Sequence, residues 1–406
     1  MLRDITDSDS TPTRQRRRFA TLGAGAAVLV VAAAIYLLPS LPKPAQPAPA
    51  ALPRSQGLLA ADFPDSSAGW LLTEAAGLPG PGKVWQTTDG GKSWKAAPPV
   101  DLSEIESFHF FDGRNGYLLK LSTAASPLPN QLLLTTDGGA SWTARNFPKP
   151  AGLELYGLSM LDTLHGRALF TQPIFGADFL RALVISYSMD DGLHWTEDGK
   201  VEFQRTIPDW TFDSIKGPLV FADPMHGLIA AQTPAMPVGA FVTSDGGKTW
   251  SYRQLPRPQG GPAQFPGSLM SVAAFGAEEL VGVAYPQGTQ PGAPQGVSYV
   301  YRSDDFGQTW SAPVEATADP GASAPQFVGR DVWWIPDGRS VLMTSDGGRT
   351  WTGSDLKLPG SSTVKALYPV DASRAWAFAG GRAGSPTLLY ESTDGASSWR
   401  LVTPPG

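Results

Sequence analysis

Cysteine is absent from the 406 residues, which excludes disulfides, thiolate metal sites and cysteine nucleophiles at once. Histidine is nearly absent. Its four copies, His109, His165, His194 and His226, never stand at the i, i+4 spacing of a helical zinc motif. Basic clusters are missing beyond the N-terminal segment. Taking the seven Lys/Arg and three Asp of residues 1–57 from the totals of 31 and 37 leaves 24 basic and 34 acidic residues, a net of −10. Nucleic-acid affinity rests on clustered cations that neutralise phosphates, so a nucleic-acid partner is not expected. A Gly-x-Ser-x-Gly elbow, a P-loop and a dinucleotide fingerprint after a strand are likewise missing. No cofactor is implied.

Glycine (45), proline (38) and tryptophan (13) are plentiful, which argues for many turns and for aromatic residues with a repeated task. The one long apolar run is residues 19–38, directly after Arg16, Arg17 and Arg18. Twenty residues at 1.5 Å rise span about 30 Å, the thickness of a bilayer's hydrocarbon core. The arginines precede the run, so the positive-inside rule predicts a single-pass anchor in the cell membrane with residues 1–18 as a cytoplasmic tail and the remainder on the periplasmic or extracellular side. Residues 39–57, rich in Pro and Ala, read as an extended spacer. A cleaved signal peptide is the competing reading.

One octapeptide then recurs seven times, as TTDGGKSW, TTDGGASW, SMDDGLHW, TSDGGKTW, SDDFGQTW, TSDGGRTW and STDGASSW, with the tryptophans 41 to 60 residues apart. Its Asp residues are Asp89, Asp137, Asp190, Asp245, Asp305, Asp346 and Asp394. Its Trp residues are Trp94, Trp142, Trp195, Trp250, Trp310, Trp351 and Trp399. The pattern is that of a hairpin corner: Asp accepts backbone N–H groups two or three residues on, Gly at the fifth position tolerates positive φ, and Trp starts the returning strand. A short apolar strand precedes each box. Ahead of that, in five units, stands a tight turn opening on Asp65, Asp112, Asp162, Asp223 or Asp371 and leading into a strand such as GWLL or GYLL. Each unit therefore reads as four short strands, A to D. The fold class is all-β: a seven-bladed β-propeller of four-stranded blades over residues 58–406, preceded by one N-terminal transmembrane helix.

These motifs resemble the Asp-box (BNR) repeat family. The combination of Asp…Gly-Trp with Thr-x-Asp-Gly-Gly-x-Thr-Trp most resembles the photosystem II stability/assembly factor-like propellers. That resemblance covers residues 58–404 and implies a chaperone-like role for a membrane complex. It constrains function weakly, because sialidases and xyloglucanases carry the same turn. A sialidase would bring an Arg near the first blade, and residues 58–98 contain none.

The box Asp residues stand on separate blade corners, too far apart to share a substrate or a cation, so they are read as scaffold. Long, irregular connections fall on the B–C and D–A side, among them residues 122–130, 171–181, 196–210, 232–239 and 255–266. Long loops on a rigid scaffold usually carry binding. Arg205, Trp210, Arg253, Arg257, Phe175 and Tyr285 are the binding candidates there, since Arg and aromatics dominate interface hot spots. The expected function is an extracytoplasmic scaffold or assembly factor holding a protein partner at or near the membrane, without enzymatic activity. A carbohydrate ligand, a glycoside hydrolase and a sensor ectodomain stay open as alternatives.

Overall fold

A computed structural model describes residues 58–73, 83–102, 104–122, 129–171, 181–204, 218–230, 232–259, 266–286, 298–316, 324–380 and 388–402. The tail, anchor and spacer assigned to residues 1–57 lie outside them. No helix among the described residues is long and apolar enough to cross a membrane.

The strands form seven antiparallel sheets, six of them four-stranded and one five-stranded, each built around an A-B-C-D succession of strands. Blade one is Leu58–Asp62, Gly69–Thr73, Lys83–Thr87 and Lys95–Ala96; blade seven is Thr363–Pro369, Ala375–Gly380, Leu388–Ser392 and Arg400–Val402. Polarity is graded from strand to strand within a blade. The B strands are covered on both faces by neighbouring blades, and Gly69–Thr73, Gly116–Lys120, Gly166–Thr171 and Ala375–Gly380 are buried at every residue. The D strands are outer edges, and Thr143–Asn146 and Thr352–Asp355 are exposed at most positions.

The hydrophobic core is divided among the seams between blades. Trp70 of blade one stacks on Phe110 of blade two at 3.6 Å between ring centroids, in a cluster holding Leu72, Val84 and Leu118. Comparable clusters join blades two to three, four to five, five to six and six to seven. Between blades three and four, the buried Arg167 guanidinium donates to Pro224 O at 2.7 and 3.2 Å. Six of the seven box Trp residues pack into or against these seams. Trp310 is a core member, and Trp94, Trp142, Trp195, Trp351 and Trp399 lie against the clusters. Most are half-buried, approaching an aromatic partner edge-on, as Trp142 does Phe110 and Trp250 does Phe221.

Among the described residues the ring closes without exchanging a strand. Blade one contains only strands from the start of the described chain and blade seven only strands from its end. Side chains make the seam: Phe63 stacks on Trp376 at 3.9 Å, and Arg374 Nη1 donates to Ser66 O at 2.6 Å.

Two stretches read as loops are strands. Thr196–Gln204 is the nine-residue D strand of blade three, paired with Arg181–Met189. Its polar opening TEDGK suits an outer edge. Gln232–Pro237, within the B–C connection of blade four, pairs antiparallel with Pro266–Phe275, the A strand of blade five, and makes that sheet five-stranded.

Candidate functional site

The turns that shape one face of the ring repeat with little variation. In six boxes the Asp Oδ1 accepts the N–H four residues on, at 2.8–2.9 Å, and Oδ2 accepts the hydroxyl of that same residue. The span is thus longer than the two or three residues an Asx turn suggests. The first-position hydroxyl accepts the N–H of the fifth residue, as Thr87 does from Gly91 at 2.9 Å. Both central positions adopt positive φ, 71° and 80° at Gly90 and Gly91. In all seven blades the fourth-position N–H also donates to a carbonyl of the same blade's A–B turn, at 2.7–3.0 Å. The A–B and C–D turns are therefore bonded together on one face.

Two boxes hold a non-glycine residue at positive φ, Phe306 at 51° and Ala396 at 65°. The left-handed conformation costs an L-residue about 1–2 kcal/mol, of which glycine's greater unfolded-state freedom would cancel about 0.5–1 kcal/mol. Ala396→Gly should therefore stabilise the protein by about 0.5–1 kcal/mol, read from urea unfolding midpoints; a loss of stability would mean that the Ala396 methyl group's packing outweighs the strain.

The third box departs from the others and corrects the assignment of Asp190. Met189 pairs with Gly166 as Thr87 pairs with Gly69, so Met189 takes the first position and the turn is one residue shorter. Asp191 then occupies the acceptor position. Its Oδ1 receives Leu193 N and His194 N at 2.8 Å each, and its Oδ2 lies 2.8 Å from His194 Nδ1. Asp190 instead faces Arg167 Nη1 at 3.3 Å. The paired aspartates of SMDDGLHW leave two registers open, and aligning on Trp195 selects the wrong one.

A groove of about 650 Å³ opens at this shortened box, between blades two and three. One wall is the D strand of blade two and its continuation, residues 144–150; the other is Tyr187, Leu193, His194 and Trp195. Phe147 meets Trp195 edge-on at 5.1 Å to form an apolar floor. Asn130 holds the first wall in place: its Nδ2 donates to Pro148 O at 3.0 Å, its backbone carbonyl accepts Phe147 N at 3.1 Å, and its Oδ1 accepts Ser122 N at 2.9 Å. Arg145 Nε donates to Gly192 O at 2.9 Å across the two blades, and Lys149 bonds the Ser122 hydroxyl. Such a cleft can hold an extended chain between aromatic and cationic groups; it offers no nucleophile with a base beside it.

The sequence-derived candidates divide as follows. Arg205, Trp210 and Phe175 lie outside the described residues. Tyr285 is on the B strand of blade five, opposite Ser268. Arg253 is on a D strand and donates to Gln308 Oε1 of the next blade's box at 3.1 and 2.8 Å, a seam contact. Arg257 is exposed just beyond that strand. The three described candidates lie in blades four and five and do not line the groove between blades two and three, whose residues were missed. The available signal was Leu193, which stands where the other boxes carry Lys92, Ala140, Lys248, Gln308, Arg349 and Ser397.

Titratable groups elsewhere serve the scaffold. Twelve turn carboxylates are held below the ordinary carboxylate range. In Asp89, Asp137, Asp346 and Asp394 the Ser or Thr hydroxyl and amide four residues on are the main cause, with Asp89 and Asp346 held to about 2; in Asp191 it is His194. In Asp65, Asp112, Asp162, Asp223, Asp245, Asp305 and Asp371 partial burial works upward and turn hydrogen bonds outweigh it. His165 and His226 face Asp162 and Asp223 of their own turns. His109 lies 2.8 Å from Asp62 of the preceding blade; burial lowers its pKa, and the carboxylate outweighs burial to leave it raised. No group of three or more His, Asp or Glu among the described residues could hold a metal ion.

One repeat, residues 301–312, matches the family model described as BNR/Asp-box repeat. No curated protein matches the sequence. Among solved structures, YCF48 bound to D1 peptide is similar at 16% identity and a TM-score of 0.50, over 84% of this chain and 95% of that one. YCF48 from Cyanidioschyzon merolae gives 16% and 0.50, over 84% and 96%. A prolyl endopeptidase structure gives 10% and 0.51, over 85% of this chain and 49% of that one. At these identities the likeness is one of fold.

Proposed function

We propose that this seven-bladed Asp-box β-propeller is a protein-binding scaffold or assembly factor, tethered by residues 19–38 to the cell membrane and working on its periplasmic or extracellular side. The observation that carries the reading is the groove between blades two and three, whose aromatic floor and cationic wall suit a polypeptide. The likeness to YCF48, solved with a D1 peptide bound, supports a protein partner. The carboxylates of the turns are engaged in holding the scaffold, which supports binding without catalysis. The arginine cluster before a bilayer-length apolar run supports the tether.

Crosslinking in intact membranes followed by affinity capture of the tagged chain should recover a discrete protein partner. Protease added to intact spheroplasts should degrade residues 58–406 and spare residues 1–18. Recovery of the chain alone at every crosslinker concentration would sink the scaffold reading. A full-length chain found in the soluble fraction would remove the tether.

A further inference from the structure

We propose that the groove between blades two and three, with the adjoining turns of blades three and four, is the docking surface for the partner, and that it takes an extended segment carrying apolar side chains beside a carboxylate. The inference rests on the protein-binding reading and gives that reading a site and a ligand class.

The repeats act as internal controls. At the third position of the A–B turn, blades one, two and seven carry Ser67, Arg114 and Ser373, whereas blades three and four carry Leu164 and Met225. These two are 51% and 47% exposed, and Leu193 of the third box is 49% exposed. Three of the five large exposed apolar side chains among the described residues thus occupy equivalent or adjoining turns of two neighbouring blades. Leu164 approaches the third box directly, since a Cβ placed on Gly192 would lie 2.8 Å from Leu164 Cδ2. Polar residues satisfy the same backbone positions elsewhere in the ring, so the turn geometry does not require apolar ones here. Exposed apolar groups clustered on an otherwise polar face mark an interaction surface.

The groove continues this patch toward blade two and supplies charge. Its lining includes Arg145 and Lys149 and no carboxylate, although residues 58–406 carry more acidic than basic groups. Two carboxylates of the same blade are engaged, Asp191 by the third box and Glu197 by the Tyr187 hydroxyl at 3.2 Å. Thr143–Asn146 is the last strand of its sheet, so its outer edge presents backbone groups to an extended chain. Apolar side chains fit against Leu193, Phe147 and Trp195, while a carboxylate fits beside Lys149 and Arg145.

The test pans a random dodecapeptide phage library on the purified full chain in detergent micelles. Enriched peptides are synthesised and titrated by fluorescence anisotropy. They should combine apolar residues with Asp, Glu or a free C-terminus. Leu193→Lys and Leu164→Lys should weaken them about tenfold, as loss of a central anchor does; Lys149→Gln should weaken them severalfold. Leu401→Lys and Val314→Lys, also exposed but outside the sector, should leave affinity unchanged. All five variants should melt with the parent. Enriched peptides that bind every variant equally would overturn the site and leave the protein-binding reading standing, whereas no enrichment would overturn both. Loss of binding to phosphatidylglycerol vesicles in Leu193→Lys, with peptide affinity intact, would assign the sector to lipid and overturn the proposal. Self-association abolished by Leu193→Lys, again with peptide affinity intact, would overturn it in favour of a second copy.

Discussion

Trp376→Ala should lower the unfolding free energy by about 3–5 kcal/mol, the range for deleting a buried aromatic side chain. Trp376 is fully buried and stacks on Phe63 across the seam between the last blade and the first. Arg374 lies over its ring at 5.7 Å and bonds Ser66 O. The same seam holds Leu71, Trp85, Phe378, Leu389 and Val402. Because no strand among the described residues is shared there, side chains close the ring, and the cavity left by Trp376 is not relieved by a shared backbone ladder. Urea unfolding should show the loss, and Phe63→Ala with Trp376→Ala should cost less than the sum of the single variants, because the two rings share one contact. Additive losses would mean that the stack contributes nothing to closure.

Acid should unfold the protein through a steep limb between about pH 4 and pH 2. A carboxylate whose folded pKa is depressed stabilises the fold above its unfolded value, near 3.8, and that contribution is lost as pH falls through the folded value. Asp89 and Asp346 are held to about 2, and ten further turn aspartates shift in the same direction. Each effect is local and exposed, so each is small; the number of them makes the limb steep. Unfolding at pH 3 should take up several protons, measured from the slope of unfolding free energy against pH. A flat profile down to pH 2 would show that the turn bonds do not discriminate between the protonation states. His109 acts oppositely. Its pKa is raised, so its pairing with Asp62 contributes fully below about pH 6.5 and fades as pH rises.

The ring was legible because its signals are local and repeated. Strands such as Gly69–Thr73 and Gly116–Lys120 begin at the glycines the sequence marks and read as continuous apolar runs, since both faces are covered. The outer edge was harder to read. Thr196–Gln204 opens on the polar TEDGK, and only Val201 and Phe203 near its end alternate with polar residues, so the first half of the strand reads as a loop. The third box shows a different limit, because a one-residue deletion is invisible when Asp occurs twice in succession and Trp195 fixes the alignment. The groove depends on Phe147 and Trp195 meeting from different blades, a contact that no short motif encodes. Leu193 was the exception: its departure from the other boxes is visible in the chain itself.

Closure by side chains alone has a topological consequence. Apart from Gln232–Pro237, which leaves the B–C connection of blade four to pair with blade five, no strand crosses between blades, so no other sheet fixes the order in which the blades occur along the chain. A D strand ends, and an A strand begins, on the same face of the ring, and blades one and two are joined there by only eight residues, 97–104. A linker of comparable length from residue 402 to residue 58, with the chain opened between any two blades, would preserve all seven sheets. The molecule is in this sense a circular polymer cut once, and the position of the cut is a matter of sequence rather than of architecture.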